Sequence, residues 1–229
     1  MSIENKIKKE IAQKWNNEFP DLSQFAQNKL YKIIGPLIGG IEIFNQPRSE
    51  DYRPYIAWYP LWNIGIANCF KEPIILQEIR NKKGMLYDIP YRKNDIYFTE
   101  LVMEIKRQMY FSFSGDIQLQ ELIKLIDSQF SHSLVKFSPI GQAILLEGKL
   151  LSALYVNHVK SIEQFMADIN KISKSWQNSE NFDLKNGKIE EWLQKLKNTI
   201  NNRQDFLLQI ESNKQDKKMS KLAYSELIL

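Results

Sequence analysis

Residues 51–63 read DYRPYIAWYPLWN, and the interpretation of this stretch decides the fold. Two Trp, three Tyr and two Pro in thirteen positions suit no amphipathic helix, because Pro54 and Pro60 would break its hydrogen-bond ladder. Aromatic and β-branched residues favour extended chain, in which successive side chains alternate between faces. Tyr52, Pro54, Ile56, Trp58 and Pro60 then share one side, and Arg53, Tyr55, Ala57, Tyr59 and Leu61 the other. Both sides are apolar or amphipathic, as in a strand covered on both faces. Two readings stand. Either the stretch is buried sheet, or Tyr55, Tyr59 and Trp62 form a binding patch, since Trp and Tyr give large contact area at small entropic loss. Proline within such a strand points to a sheet edge or a bulge.

Working outward, GGIEIFN (39–45) alternates apolar and polar residues and predicts a strand from Ile38. IILQEIR, NKKG and MLYDIPY predict strand, turn and strand, with Lys83-Gly84 supplying the positive φ a hairpin turn needs. A small, mostly antiparallel sheet is therefore expected between about residues 38 and 92. Before it, Ile3, Ile7, Ile11 and Trp15 recur every fourth residue and predict a first helix capped by Ser2. Phe25, Leu30, Ile33, Ile34 and Leu37 suggest a second helix, capped by Asp21 or Ser23 and ended by Gly35-Pro36.

The C-terminal half is helical in pattern. Phe98, Leu101, Val102, Ile105 and Met109 fit a helix, although residues 101–106 also fit a strand. Asp116 opens a helix carrying Leu119, Leu122, Ile123, Ile126 and Phe130, and Ser138-Pro139 opens the most apolar one, Ile140 to about Val156. Ser161 and Gln164 form a capping box for a helix with Phe165, Ile169, Ile172 and Trp176. QNSENFDLKNG (177–187) reads as a polar loop. A last helix from near Gly187 repeats Ile189, Trp192 or Leu193, Leu196, Ile200, Leu207 and Ile210, a pattern suited to helix pairing. ESNKQDKKMSK (211–221) reads as a solvated linker, and the apolar LAYSELIL behind it is expected to dock. The fold class is α+β. Residues 1–135 form a sheet-containing region, 136–211 a helical region packed on it, and 212–229 a linker and apolar tail, the whole one compact unit.

At 229 residues and 43% hydrophobic content the chain can bury a real core. A net charge of +4, with 25% charged residues in nearly balanced signs, lacks the basicity of a dedicated nucleic-acid binder. Nucleic acid is expected only through a larger complex, and short basic clusters such as NKIKKE, RNKKG and KQDKKMSK serve solubility. Cys69, the one cysteine, allows no intramolecular disulfide and no Cys-rich metal site, which suits a reducing, cytoplasmic compartment. The N-terminus is interrupted by charge every two or three residues, unlike a signal peptide, and GQAILLEGKLLSALYV is split by Glu147 and Lys149, so no membrane span is expected. The abundance of Lys, Asn and Ile suggests an AT-rich, bacterial genome.

NDIYFTELVMEIKRQ (94–108) resembles the metal-dependent nuclease pattern in which an Asp precedes a Glu-x-Lys triplet on a core strand. The resemblance implies that Asp95, or Asp88, and Glu104 hold Mg²⁺ while Lys106 stabilises charge on the attacked phosphate. Geometry is the test: on a strand Glu104 and Lys106 share a face, whereas on a helix they diverge by about 200°. His132 and His158 lie at helix ends without metal-binding spacing, and Cys69 lies among apolar residues as an inert thiol. No phosphate-binding loop, dinucleotide fingerprint or nucleophile elbow occurs. The leading expectation is a non-catalytic interaction protein needing no cofactor: an accessory subunit of a complex, or an immunity-type protein. Its partner is another protein or a second copy, and its interface residues are Tyr55, Tyr59, Trp62, Leu222, Tyr224, Leu227 and Ile228. The alternative is the Mg²⁺-dependent nuclease.

Overall fold

The structure, a computed structural model, describes residues 5–109, 111–176 and 179–229. Ile3 and Ser2 lie outside the described residues, but Ile11 and Trp15 form the buried stripe of helix α1 (Asn5–Glu18). Strands β1 (Ser23–Ala26), β2 (Lys29–Ile34), β3 (Leu37–Asn45) and β4 (Asp51–Pro60) follow directly and pair antiparallel in that order. The helix expected across Phe25–Leu37 is therefore a hairpin. Every residue from Leu30 to Ile43 is buried, so the chain carries apolar groups on both strand faces and loses the alternation that marks a half-exposed strand. Gly35, at φ 53°, and Pro36 make the two-residue turn between Ile34 and its partner Leu37.

Gly39 and Gly40 sit inside β3. A Cβ on Gly39 would lie 2.7 Å from the indole of Trp58 on the neighbouring strand, so the missing side chain makes room for that ring. β4 is an interior strand, not the edge its prolines suggested. Its far side pairs with β5 (Ile75–Glu78) through Tyr55–Trp58 and with β6 (Ile89–Pro90) through Asp51–Tyr52. Pro54 falls in the gap between those pairings and Pro60 ends the strand, so neither interrupts a ladder on that side. Short helix α2 (Ile66–Cys69) lies between β4 and β5, and Gly84, at φ 78°, provides the expected turn.

Residues 94–108 are helical. α3 (Asn94–Gln108) buries Leu101, Val102 and Ile105, and its Phe98 meets Trp15 of α1 edge to face at 5.2 Å, which covers one sheet face beside Tyr52. Tyr110 lies outside the described residues. After strand β7 (Ile117–Gln118), α4 (Leu119–Gln129) starts with Gln118 in a capping box with Glu121, while Asp116 instead accepts the Glu226 N–H at 2.9 Å. Short α5 (Ser133–Lys136) leads to α6 (Pro139–Tyr155), capped as expected by Ser138, whose Oγ accepts the Gly141 N–H at 3.0 Å. α6 is the hub of the helical half, packing against α4, α5, α7 (Val159–Ile172), α8 (Glu180–Asn186) and α10 (Arg203–Lys214).

Three further differences from expectation lie in the helical half. α7 starts at Val159 rather than Ser161, with the His158 ring bonded to Ser161 Oγ at 2.7 Å. α8 occupies most of the polar loop expected at 177–187, of which Gln177 and Asn178 lie outside the described residues; Phe182 is its fully buried anchor. The long last helix is two, α9 (Ile189–Asn201) and α10, broken at Asn202. Arg203 at the break donates to the backbone carbonyls of Leu154 and Tyr155, both at 2.7 Å, and so caps α6.

The stretch expected as a solvated linker continues α10 to Lys214 and then buries Met219 completely. The apolar terminus docks on its own chain: β8 (Ala223–Ser225) adds parallel to β2, and β9 (Leu227–Ile228) pairs parallel with β7. One hydrophobic cluster runs from Ile11 to Leu227. Sheet and helices thus make an α+β fold, an antiparallel sheet flanked by helices and followed by a helical half.

Candidate ligand groove around Glu147

The 51–63 stretch divides three ways. Tyr52 and Trp58 are core on the face covered by Trp15, Phe111 and Phe113. Tyr59, on the other face, meets Tyr31 and Phe70 edge to face and is 5% exposed. Tyr55 is half-buried, edge-on to the exposed Phe44 at 4.9 Å. Trp62 leaves the sheet altogether. Its backbone is gripped on both sides by Asn213 of α10, whose amide donates to the carbonyls of Leu61 and Asn63, each at 2.7 Å. The sheet's end therefore presents an indole to the helices.

There it lines a groove of about 460 Å³, built by four segments. The turn after β4 brings Trp62 and Ile64. α6 brings Glu147 and Leu151, one turn apart on one face; α9 brings Trp192, Lys195 and Leu196; α10 brings Asp205 and Phe206. Trp62 and Phe206 lie with ring centroids 6.3 Å apart, and Trp192 is held in place by Trp176 and Phe182 at 5.7 and 5.6 Å. Ile64, 79% exposed, forms an apolar rim.

Glu147 sits in the floor of this groove. Trp192 Nε1 donates to its Oε2 at 3.3 Å. Burial pushes its carboxyl above the ordinary glutamate range and Glu72 pushes the same way, while the Trp192 and Trp62 indoles and Lys195 hold it down. Among the described residues no Lys, Arg or His nitrogen comes within 4.0 Å of it. Its neighbour in sequence, Lys149, is fully provided for: it pairs with Asp127 at 2.7 Å and lies over the Phe165 ring at 4.6 Å. The groove offers aromatic and aliphatic walls, one carboxylate at depth and a mixed-charge mouth.

The residues of the nuclease resemblance are not brought together. Asp88 takes a bidentate fork from Arg53, with both bonds at 2.8 Å, and Asp95 pairs with Lys14, which lowers its pKa. Glu104 is buried and held ionised by Arg107 at 2.7 Å, whereas Lys106 points away to Glu18 at 3.5 Å and to the Phe19 ring. Among the described residues no three His, Cys, Asp or Glu side chains gather so as to hold a metal ion. His132 is exposed, His158 stands at the start of α7, and burial pushes the Cys69 thiol up to about 11.

Of the C-terminal residues, Leu227 is 3% exposed within the fold, Leu222 is half-buried, and Tyr224 and Ile228 keep 46% and 37% exposure. Sequence reasoning named Trp62 but treated Glu147 only as a charge interrupting an apolar run, and placed Asn213 in a linker. The available signal was the position of Glu147: a carboxylate in the most apolar helix of the chain. Comparisons of the chain with family models, with curated proteins and with solved structures find no match. Among the described residues no helix is long and apolar enough to cross a membrane.

Proposed function

We propose that this protein is a non-catalytic binding protein, an accessory subunit of a complex or an immunity-type protein, whose partner engages the Glu147 groove. One observation carries the reading: four separate segments converge to build an aromatic groove whose Trp62 backbone is clamped by the buried Asn213. A preorganised pocket with rigid aromatic anchors is what a binding site needs, because little side-chain entropy is lost on engagement. Tyr55 and Phe44 on the outer sheet face, and Tyr224 with Ile228 at the terminus, offer secondary contact area for a protein partner or a second copy. A cytoplasmic setting suits the single buried thiol.

The test is affinity capture from the source cells on the immobilised full chain, beside the rim variant Ile64→Asp and the sheet-face variant Tyr55→Ala. A stoichiometric partner held by the parent protein and by Tyr55→Ala but released by Ile64→Asp is expected. Equal retention by all three would remove the groove from the reading. Mg²⁺-dependent nucleic-acid cleavage abolished by Glu104→Gln would replace it with an enzyme.

A further inference from the structure

The groove is short of one thing, a positive charge. Its lining carries two carboxylates, Glu147 and Asp205, against one ammonium, Lys195. Lys149 is matched within the chain by Asp127, Arg53 by Asp88 and Glu78, and Glu104 by Arg107, while buried Lys32 and half-buried Arg203 donate to backbone carbonyls. Among the described residues Glu147 receives the uncharged Trp192 indole N–H and has no cation within 4.0 Å, Lys195 acting on it only from farther off. A carboxylate withdrawn from water gains most from a cation brought to it, since the attraction grows as the local dielectric falls.

We propose that the groove receives a lysine side chain of the partner protein, whose ammonium pairs with Glu147 while its methylenes lie along Leu151, Leu196 and the Trp62 and Phe206 rings. This rests on the groove being the partner's site. A compact ammonium fits better than a guanidinium. Trp192 already donates to Oε2, so a single ammonium donor at the other oxygen completes the carboxylate without contesting that bond. The apolar walls match a four-carbon stem that buries its methylenes and carries its charge to the end, and the indole and phenyl faces favour a cation near them. The volume of about 460 Å³ lies within the range of small-ligand sites.

The experiment follows the indole N–H signals of Trp62 and Trp192 by NMR in the intact chain while Nα-acetyl-lysine-N-methylamide is added. Saturable shifts of both signals are expected. The Nε-acetylated derivative, which keeps the stem and loses the charge, should bind at least about tenfold more weakly. Glu147→Gln should weaken the lysine derivative by roughly tenfold to a hundredfold, with the amide spectrum of the fold unchanged. Affinity in the parent protein should rise with pH as Glu147 ionises and be flat in Glu147→Gln. That variant keeps Glu72, Lys195 and Asp205, the other charged groups that face the site, so a slope persisting in it would assign the effect to them and contradict the inference.

Equal binding of the charged and acetylated probes, or no effect of Glu147→Gln, would make Glu147 a structural acid. Binding of n-butylammonium without binding of the lysine derivative would assign the site to a free amine and overturn the proposal. If no probe shifts the indoles while partner capture still depends on Ile64, the lysine inference fails and the groove remains the partner's site.

Discussion

Two carboxylates with little access to water define opposite halves of this molecule. Glu42, in the middle of β3 and 1% exposed, accepts the phenol protons of Tyr31 and of Tyr59, the latter at 2.7 Å, and its other oxygen lies 3.1 Å from Lys29 Nζ. Both phenols are pushed well above the ordinary tyrosine pKa by burial and by the Glu42 charge, so they stay protonated and keep donating. Glu147 has indole neighbours and, among the described residues, no cation within 4.0 Å, and it opens on a groove. The sheet's carboxylate has a cation of its own chain beside it, although its buried Oε2 accepts no hydrogen bond. The helical half's carboxylate has, among the described residues, no cation within 4.0 Å, and we propose that it serves binding.

The largest expected effect comes from breaking the Glu42 site. Glu42→Ala strands two buried hydroxyls and leaves Lys29 unpaired, and should lower unfolding free energy by about 3 kcal/mol in a denaturant titration. Glu147→Gln should change it by less than about 1 kcal/mol, because its indole donors keep an amide oxygen to bond. Equal losses would erase the distinction. Next in size, Asn213→Ala orphans the carbonyls of Leu61 and Asn63 and should cost about 2 kcal/mol. It should also broaden the Trp62 indole signal, sharpening the link between clamp and groove. Tyr59→Phe removes one of Glu42's donors and should cost about 1 kcal/mol by the same titration.

The smallest effect is a pH slope. Glu147's folded pKa is raised, so between the ordinary glutamate value of 4.5 and the raised one the folded protein holds more protons than the unfolded chain. Its contribution to stability is therefore full below 4.5 and is lost as pH rises through that window, at no more than about 1.4 kcal/mol per pH unit. Thermal or chemical unfolding of the parent protein should show this loss relative to Glu147→Gln. A parent protein that loses stability relative to Glu147→Gln as pH falls toward 4.5 would have the wrong sign.

The same contrast marks what the sequence discloses. Strands β3 and β4 were legible because Glu42 and Phe44 alternate with Ile41 and Ile43, and because Pro54 and Pro60 bar a helix. β2 was not, since Leu30, Ile33, Ile34 and Leu37 mimic helical spacing once both strand faces are buried. The terminal LAYSELIL could be expected to dock from its apolarity alone, but its parallel pairing with β2 is a contact across most of the chain and leaves no local mark. The groove is harder still. Trp62, Glu147, Trp192 and Phe206 meet only in space, and each has a bland local reading as strand end, surface charge or helix stripe. What could be seen locally was the misfit: Glu147 and Lys149 inside an otherwise apolar helix. Finding which of the two lacked a partner required the fold.

The most direct measurement is the ionisation of Glu147 itself, followed through its side-chain carboxyl ¹³C shift with and without a saturating lysine derivative. A midpoint above the ordinary glutamate range in the free protein that falls when the ammonium is bound is the predicted result. A midpoint in the ordinary range, or one indifferent to the ligand, would contradict a carboxylate left open for a partner's charge.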